Sequence, residues 1–157
     1  MSQPFLYSVE REYPVSIDNL WSAWTDSQKL ESWYFPTDLK AIVGATKSEL
    51  HVGGIWACGV DVSQHGFIAY FFGKYTVIEA KKLIEHTLHY TQLKEEFESM
   101  DFDTPSHQIV LNFEDRGKSS WVKFSQFGEL PEGEEKRAQA GMESYFDSLA
   151  KFLIENK

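Results

Sequence analysis

A long two-faced helix closes a chain whose preceding residues read mostly as strands, and that pairing restricts the fold more than any other feature. Apolar side chains fall at Ala138, Gly141, Met142, Tyr145, Phe146, Leu149, Phe152 and Leu153, the i, i+3, i+4, i+7 series kept without a slip. Such a face has to be buried, and with strands upstream its partner is a sheet. A long helix lying in a curved sheet leaves room for a hollow between the two layers, and that hollow is the place to look for function.

The upstream order supports this. Phe5 to Tyr13 is rich in strand formers and alternates, with Tyr7, Val9, Arg11 and Tyr13 on one side. Ser16 offers a helix cap, and Ile17, Leu20, Trp21 and Trp24 follow at helical spacing. A second short helix is expected from Ser27, with Leu30 and Trp33 three apart, ending before Pro36. Leu39 to Leu50 and Ile55 to Val60 read as a hairpin turned by Gly53-Gly54, and Phe67 to Ile78 and Leu83 to Tyr90 continue the meander. Thr91 to Ser106 is acidic and lacks alternation, so it is expected to be a mobile loop. Gln108 to Glu114 and Trp121 to Phe127 complete the sheet, with Ile109, Leu111, Phe113, Val122 and Phe124 inward. Strands closed by a terminal helix define an α+β class with about six to seven antiparallel strands.

At 157 residues the chain fits one domain, residues 1–157, able to bury a core unaided. Fifteen Lys and Arg against 24 Asp and Glu give a formal net charge of -9, which argues against nucleic acid and anionic membranes as partners. The single cysteine, Cys58, excludes an internal disulfide and any multi-cysteine metal site. No stretch resembles a signal peptide or a membrane span, so the expected location is cytoplasmic.

The ordered motifs resemble the activator-of-heat-shock-protein-ATPase homologue family, within the START-like superfamily of lipid-transfer, pollen-allergen and polyketide-cyclase domains. The resemblance rests on Leu20-Trp21-Ser22-Ala23-Trp24-Thr25-Asp26, Leu30, Trp33-Tyr34-Phe35-Pro36, Gly53-Gly54-Ile55-Trp56 and Gly73-Lys74-Tyr75. It continues through Lys82-Leu83-Ile84, Phe113-Glu114-Asp115 and Gly141-Met142-Glu143-Ser144-Tyr145-Phe146-Asp147-Ser148-Leu149. It implies a helix-grip fold, a curved antiparallel sheet wrapped around the C-terminal helix. For partners it implies a heat-shock chaperone, whose ATPase the family's larger eukaryotic relatives stimulate.

Trp21 and Trp24 belong under the small helix as core, whereas Trp33 and Trp56, beside a helix end and a hairpin turn, suit either core or pocket wall. His86 shares one side of its strand with Tyr90, and Glu85 and His89 share the other. Pointing inward, His86 can hydrogen-bond a ligand or act as a base; otherwise it is a satisfied core histidine. His51, His65 and His107 are expected to be solvated, and Cys58 to be a buried, inert thiol. Gly141 is expected to admit a close approach beside an adaptable Met142. No nucleophile elbow, phosphate loop, dinucleotide fingerprint or zinc helix is present.

The resulting expectation is non-enzymatic binding of a small apolar, aromatic or lipid-like molecule without cofactor or metal. Trp33, Trp56, Tyr70 and Tyr75 on the sheet and Met142, Tyr145 and Phe146 on the helix would enclose it, His86 would anchor it, and residues 91–106 would form a lid. Two alternatives stand beside it. One is a chaperone-associated interaction module. The other is a cyclase- or hydrolase-like enzyme, which needs a carboxylate within reach of His86. The oligomeric state is left as monomer or homodimer.

Overall fold

The computed structural model describes residues 3–156. Strand β1 (Phe5–Tyr13) leads into helices α1 (Ile17–Thr25) and α2 (Ser27–Trp33). Their boundaries follow from capping: Ser16 Oγ accepts from Asn19 N at 3.2 Å, and Asp26 Oδ1 accepts from Lys29 N at 3.1 Å. Next come β2 (Lys40–Ala41), β3 (Lys47–Ser48), β4 (Ile55–Val62), β5 (Phe67–Glu79), β6 (Leu83–Thr91) and α3 (Lys94–Ser99). Strands β7 (His107–Asp115) and β8 (Ser120–Phe127) precede the long helix α4 (Glu134–Glu155).

The sheet is antiparallel in the order β1-β8-β7-β6-β5-β4-β2, with β3 also pairing to β4. Its concave face wraps α4, the α+β helix-grip arrangement read from the sequence. Arg11 of β1 ties the layers together, donating to Asp147 at 2.7 Å and Glu143 at 3.0 Å on α4. Inward residues alternate as expected: Tyr7, Val9 and Tyr13 on β1, Ile109, Leu111 and Phe113 on β7, and Val122 and Phe124 on β8 are all buried. No helix among the described residues is long and apolar enough to cross a membrane.

Three local readings differ from the structure. Residues 39–50 do not form one strand, because the loop between β2 and β3 is pulled toward α2: Glu31 Oε1 accepts from Gly44 N at 2.9 Å and Thr46 N at 3.3 Å. The acidic segment contains α3, whose Phe97 is buried against Tyr70 and Phe72 on the outer face of the sheet. That helix therefore does not cover the hollow. No other part of the chain approaches Gly141 closely either, since a Cβ there would meet nothing within 4 Å. Glycine is required instead at Gly73, where a Cβ would lie 1.8 Å from the Thr87 carbonyl oxygen as β5 and β6 draw together.

Candidate functional site

Large residues fill the space between α4 and the sheet at one end only. Around the C-terminal half of α4, Trp24 meets Trp33 at 4.6 Å, Phe146 at 6.0 Å and Phe113 at 6.4 Å between ring centroids, all edge-to-face. Toward the N-terminal end of α4 a cavity of about 670 Å³ remains. Phe71, Leu88, Leu130 and Ala138 give it apolar walls, and Tyr90 stands half exposed at its rim.

A hydrogen-bonded chain stiffens one wall. Tyr7 Oη donates to Gln126 Oε1 at 2.6 Å, and the Gln126 amide nitrogen donates to His107 Nδ1 at 2.7 Å. His107 therefore carries its proton on Nε2, which donates to the Glu129 carbonyl at 3.1 Å. Gly128 leaves room for that ring, because a Cβ there would lie 2.3 Å from His107 Cδ2. The sequence expectation of a solvated His107 is thus corrected: its partners come from β8 and the loop after it, 19 and 22 residues away.

The residues expected to enclose a ligand are distributed unevenly. Trp56 stacks on His86 at 4.5 Å, and Tyr34 bridges from Trp56 at 5.5 Å to Tyr145 at 4.8 Å. Tyr75 lies edge-on to His86 at 6.1 Å, its hydroxyl 2.7 Å from that of Ser48, and Met142 is buried in the same cluster. Trp33 and Phe146 belong to the packed end, both fully buried, and the Trp33 indole donates to the Ala23 carbonyl at 2.8 Å. Tyr70 is not part of this assembly. It stacks on Phe97 at 4.6 Å on the opposite face, because residues five apart on a strand point to opposite sides.

Tyr34 is the neighbour that the sequence reading passed over as a site residue, having taken Trp33-Tyr34-Phe35-Pro36 only as a family motif that ends at the helix-stopping Pro36. Its signal was present: it lies four residues after Leu30, on the face that α2 buries.

Burial governs the titrating groups. The His86 ring is pushed down to about 4 by desolvation, partly offset by the bond between Nδ1 and the Thr87 carbonyl at 2.8 Å. It is neutral at physiological pH, and that carbonyl is its one hydrogen-bond partner among the described residues. Desolvation also raises Tyr34, Tyr145 and the Cys58 thiol well above their ordinary values, which keeps the thiol protonated. A second hollow of about 430 Å³ lies on the outer face near α3, but its polar side chains pair with one another: His89 with Thr104 at 2.9 Å and Thr91 with Glu96 at 2.5 Å. Among the described residues no group of three or more His, Cys, Asp or Glu is placed to hold a metal ion.

The model of a family described as activator of Hsp90 ATPase homolog 1-like protein matches residues 14–153. The AHSA1 protein from Silicibacter pomeroyi superposes with a TM-score of 0.78 at 18% identity, covering 96% of this chain and 99% of that one. A Staphylococcus epidermidis protein gives 0.71 at 22% identity, covering 96% and 90%. CalU16 from Micromonospora echinospora gives 0.63 at 18%, covering 93% and 74%. At such identities these likenesses are likenesses of fold. No curated protein matches the sequence.

Proposed function

Because the chain belongs to the activator of Hsp90 ATPase homolog 1-like family, with its START-like sheet wrapped around a helix, we propose that it holds a small apolar or aromatic molecule between the two. The observation that carries this reading is the cavity of about 670 Å³ with Phe71, Leu88, Leu130 and Ala138 in its walls. The ligand enters past Tyr90 and lies along the N-terminal half of α4, with no cofactor taking part. Trp56, His86, Met142 and Tyr145 do not line this cavity; they belong to the buried cluster around Tyr34. Trp33 and Phe146 support it from the packed end.

Native mass spectrometry of the freshly purified protein tests the proposal. A stoichiometric non-covalent mass that disappears on denaturation is the expected result. An apo protein that also fails to take up naphthalene-type probes in calorimetry would overturn it.

A second reading, contact with a heat-shock chaperone, draws its support from the family match alone. Stimulation of an Hsp90-type ATPase by the purified protein is the expected result there, and an unchanged turnover rate counts against it. An enzymatic reading has less support, since His86 bonds to a backbone carbonyl and has no carboxylate partner among the described residues.

A further inference from the structure

Among the described residues that line the cavity, Gln126 alone is both polar and more than nine-tenths buried. Its amide is held by the two neighbouring strands. Tyr7, its register partner on β1, donates from the hydroxyl to Oε1 at 2.6 Å, and His107 on β7 accepts from Nε2 at 2.7 Å. The far end of the chain fixes which way the amide lies. The Glu129 carbonyl only accepts, so His107 carries its proton on Nε2, its Nδ1 is bare, and the amide nitrogen has to face it.

A primary amide has two N–H hydrogens and two oxygen lone pairs, and these contacts use one of each. One N–H of Nε2 and one lone pair of Oε1 are left, and neither has a partner among the described residues. Buried polar groups are nearly always paired, so this half-used amide calls for a physical reason. It stands in the wall of a cavity, beside the apolar surfaces of Phe71, Leu88, Leu130 and Ala138. Contacts from β1 and β7 keep it from turning, so the free donor and the free acceptor are set in place before anything binds.

We propose that Gln126 is the polar contact of the ligand site, and that the ligand is an uncharged, largely apolar molecule with a carboxamide or lactam edge. Its carbonyl accepts from Gln126 Nε2 while its N–H donates to Gln126 Oε1. The inference rests on the ligand-binding reading above and adds the chemistry that the cavity selects. A group that only accepts leaves the Oε1 lone pair facing carbon, and a group that only donates leaves the N–H unpaired. A carboxylate sets one of its oxygens against Oε1. It also sheds its water with no cation to receive it, because the described lining holds no Lys or Arg and one carboxylate, that of Glu129.

The test is a set of similarly shaped probes measured by calorimetry at pH 7.4: 2-naphthamide, 2-acetonaphthone, 2-isopropylnaphthalene and 2-naphthoate. The carboxamide is expected to bind roughly threefold to tenfold tighter than the ketone, which lacks only the N–H, the range of one neutral hydrogen bond. It is expected to bind at least about tenfold tighter than the carboxylate. In Gln126→Met, which keeps the side chain's length and removes both polar atoms, the carboxamide's advantage over the ketone should vanish while the hydrocarbon still binds. That variant leaves Tyr7 and His107 without their partner, so the isotope-labelled wild type is read as well. By nuclear magnetic resonance, the Gln126 side-chain N–H signal should move downfield with 2-naphthamide relative to its position with 2-isopropylnaphthalene. A carboxamide no tighter than the ketone, a tighter carboxylate, an advantage that survives Gln126→Met, or the same Gln126 signal with both probes overturns the inference and leaves the cavity reading standing. Failure of every probe, the hydrocarbon included, overturns both.

Discussion

The two ends of α4 face the same concave sheet and yet do opposite things. At the C-terminal end Phe146, Leu149 and Leu153 are buried, and with Trp24, Trp33 and Phe113 they leave little room. At the N-terminal end the inward positions are Ala138 and Gly141, and a cavity stands over the first of them. The backbone geometry is shared, so the difference lies in side-chain volume along one helical stripe. Aromatic content does not by itself separate a core from a pocket. The taper from Ala138 and Gly141 to Phe146, Leu149 and Leu153 does.

The largest effect that probes this contrast is a truncation at the packed end. Phe146 touches Trp24 at 6.0 Å, and its backbone carbonyl accepts from Tyr13 Oη at 2.9 Å, a bond that a side-chain change leaves in place. Phe146→Ala should therefore cost about 3–5 kcal/mol by urea denaturation, through lost burial and an unfilled void. A cost below about 1 kcal/mol would mean that this end is as loosely filled as the other.

His86 lies between the two ends, and its titration reports how far water reaches. Its value of about 4 in the folded protein lies below the ordinary 6.5, so between those pH values the unfolded chain binds a proton that the folded one excludes. Stability is then retained above pH 6.5 and falls as pH drops toward 4, by roughly 3 kcal/mol in all from this residue. Comparing wild type with His86→Phe at pH 7 and pH 4.5 isolates that share. Parallel pH profiles would show that the ring is already hydrated through the cavity.

At the open end the expectation reverses. Ala138→Trp places a large ring in the cavity, so stability should change by less than about 1 kcal/mol while affinity for a naphthalene-type probe falls at least about tenfold. A variant that binds as wild type does would move the ligand site away from α4.

How much of this contrast was legible beforehand can be judged from particular residues. The stripe on α4, the cap at Ser16 and the inward sets on β7 and β8 are local signals, and they are found where the sequence placed them. Tyr70 was assigned to the wrong face although the five-residue step to Tyr75 carried the answer. Phe97 could not be read in an acidic segment, because one apolar residue sets no period; its burial depends on Tyr70 and Phe72 from β5. The wall built from Tyr7, Gln126 and His107 was beyond sequence reasoning, since Tyr7 and Gln126 are 119 residues apart and meet only because β1 pairs with β8. Tyr34 needed only an extension of the α2 face by one residue. The site's aromatic character was thus written locally, and its shape in the long-range pairing of strands.

The smallest predicted effect is the most direct check of the empty space. Gly141 sits inside α4, one turn after Ala138, and a Cβ at this position would meet nothing within 4 Å. A glycine in a helix interior carries extra conformational entropy in the unfolded chain, so Gly141→Ala should raise stability by about 0.5–1 kcal/mol. The same change at Gly73 should lower stability by roughly 1–3 kcal/mol, because its new methyl would collide with the Thr87 carbonyl. Opposite signs from one chemical change, read in the same denaturation assay, would locate the open volume on the helix and the close approach on the sheet. A loss of stability at Gly141 would mean that the hollow above α4 is filled in solution, and the contrast between the two ends of the helix would disappear with it.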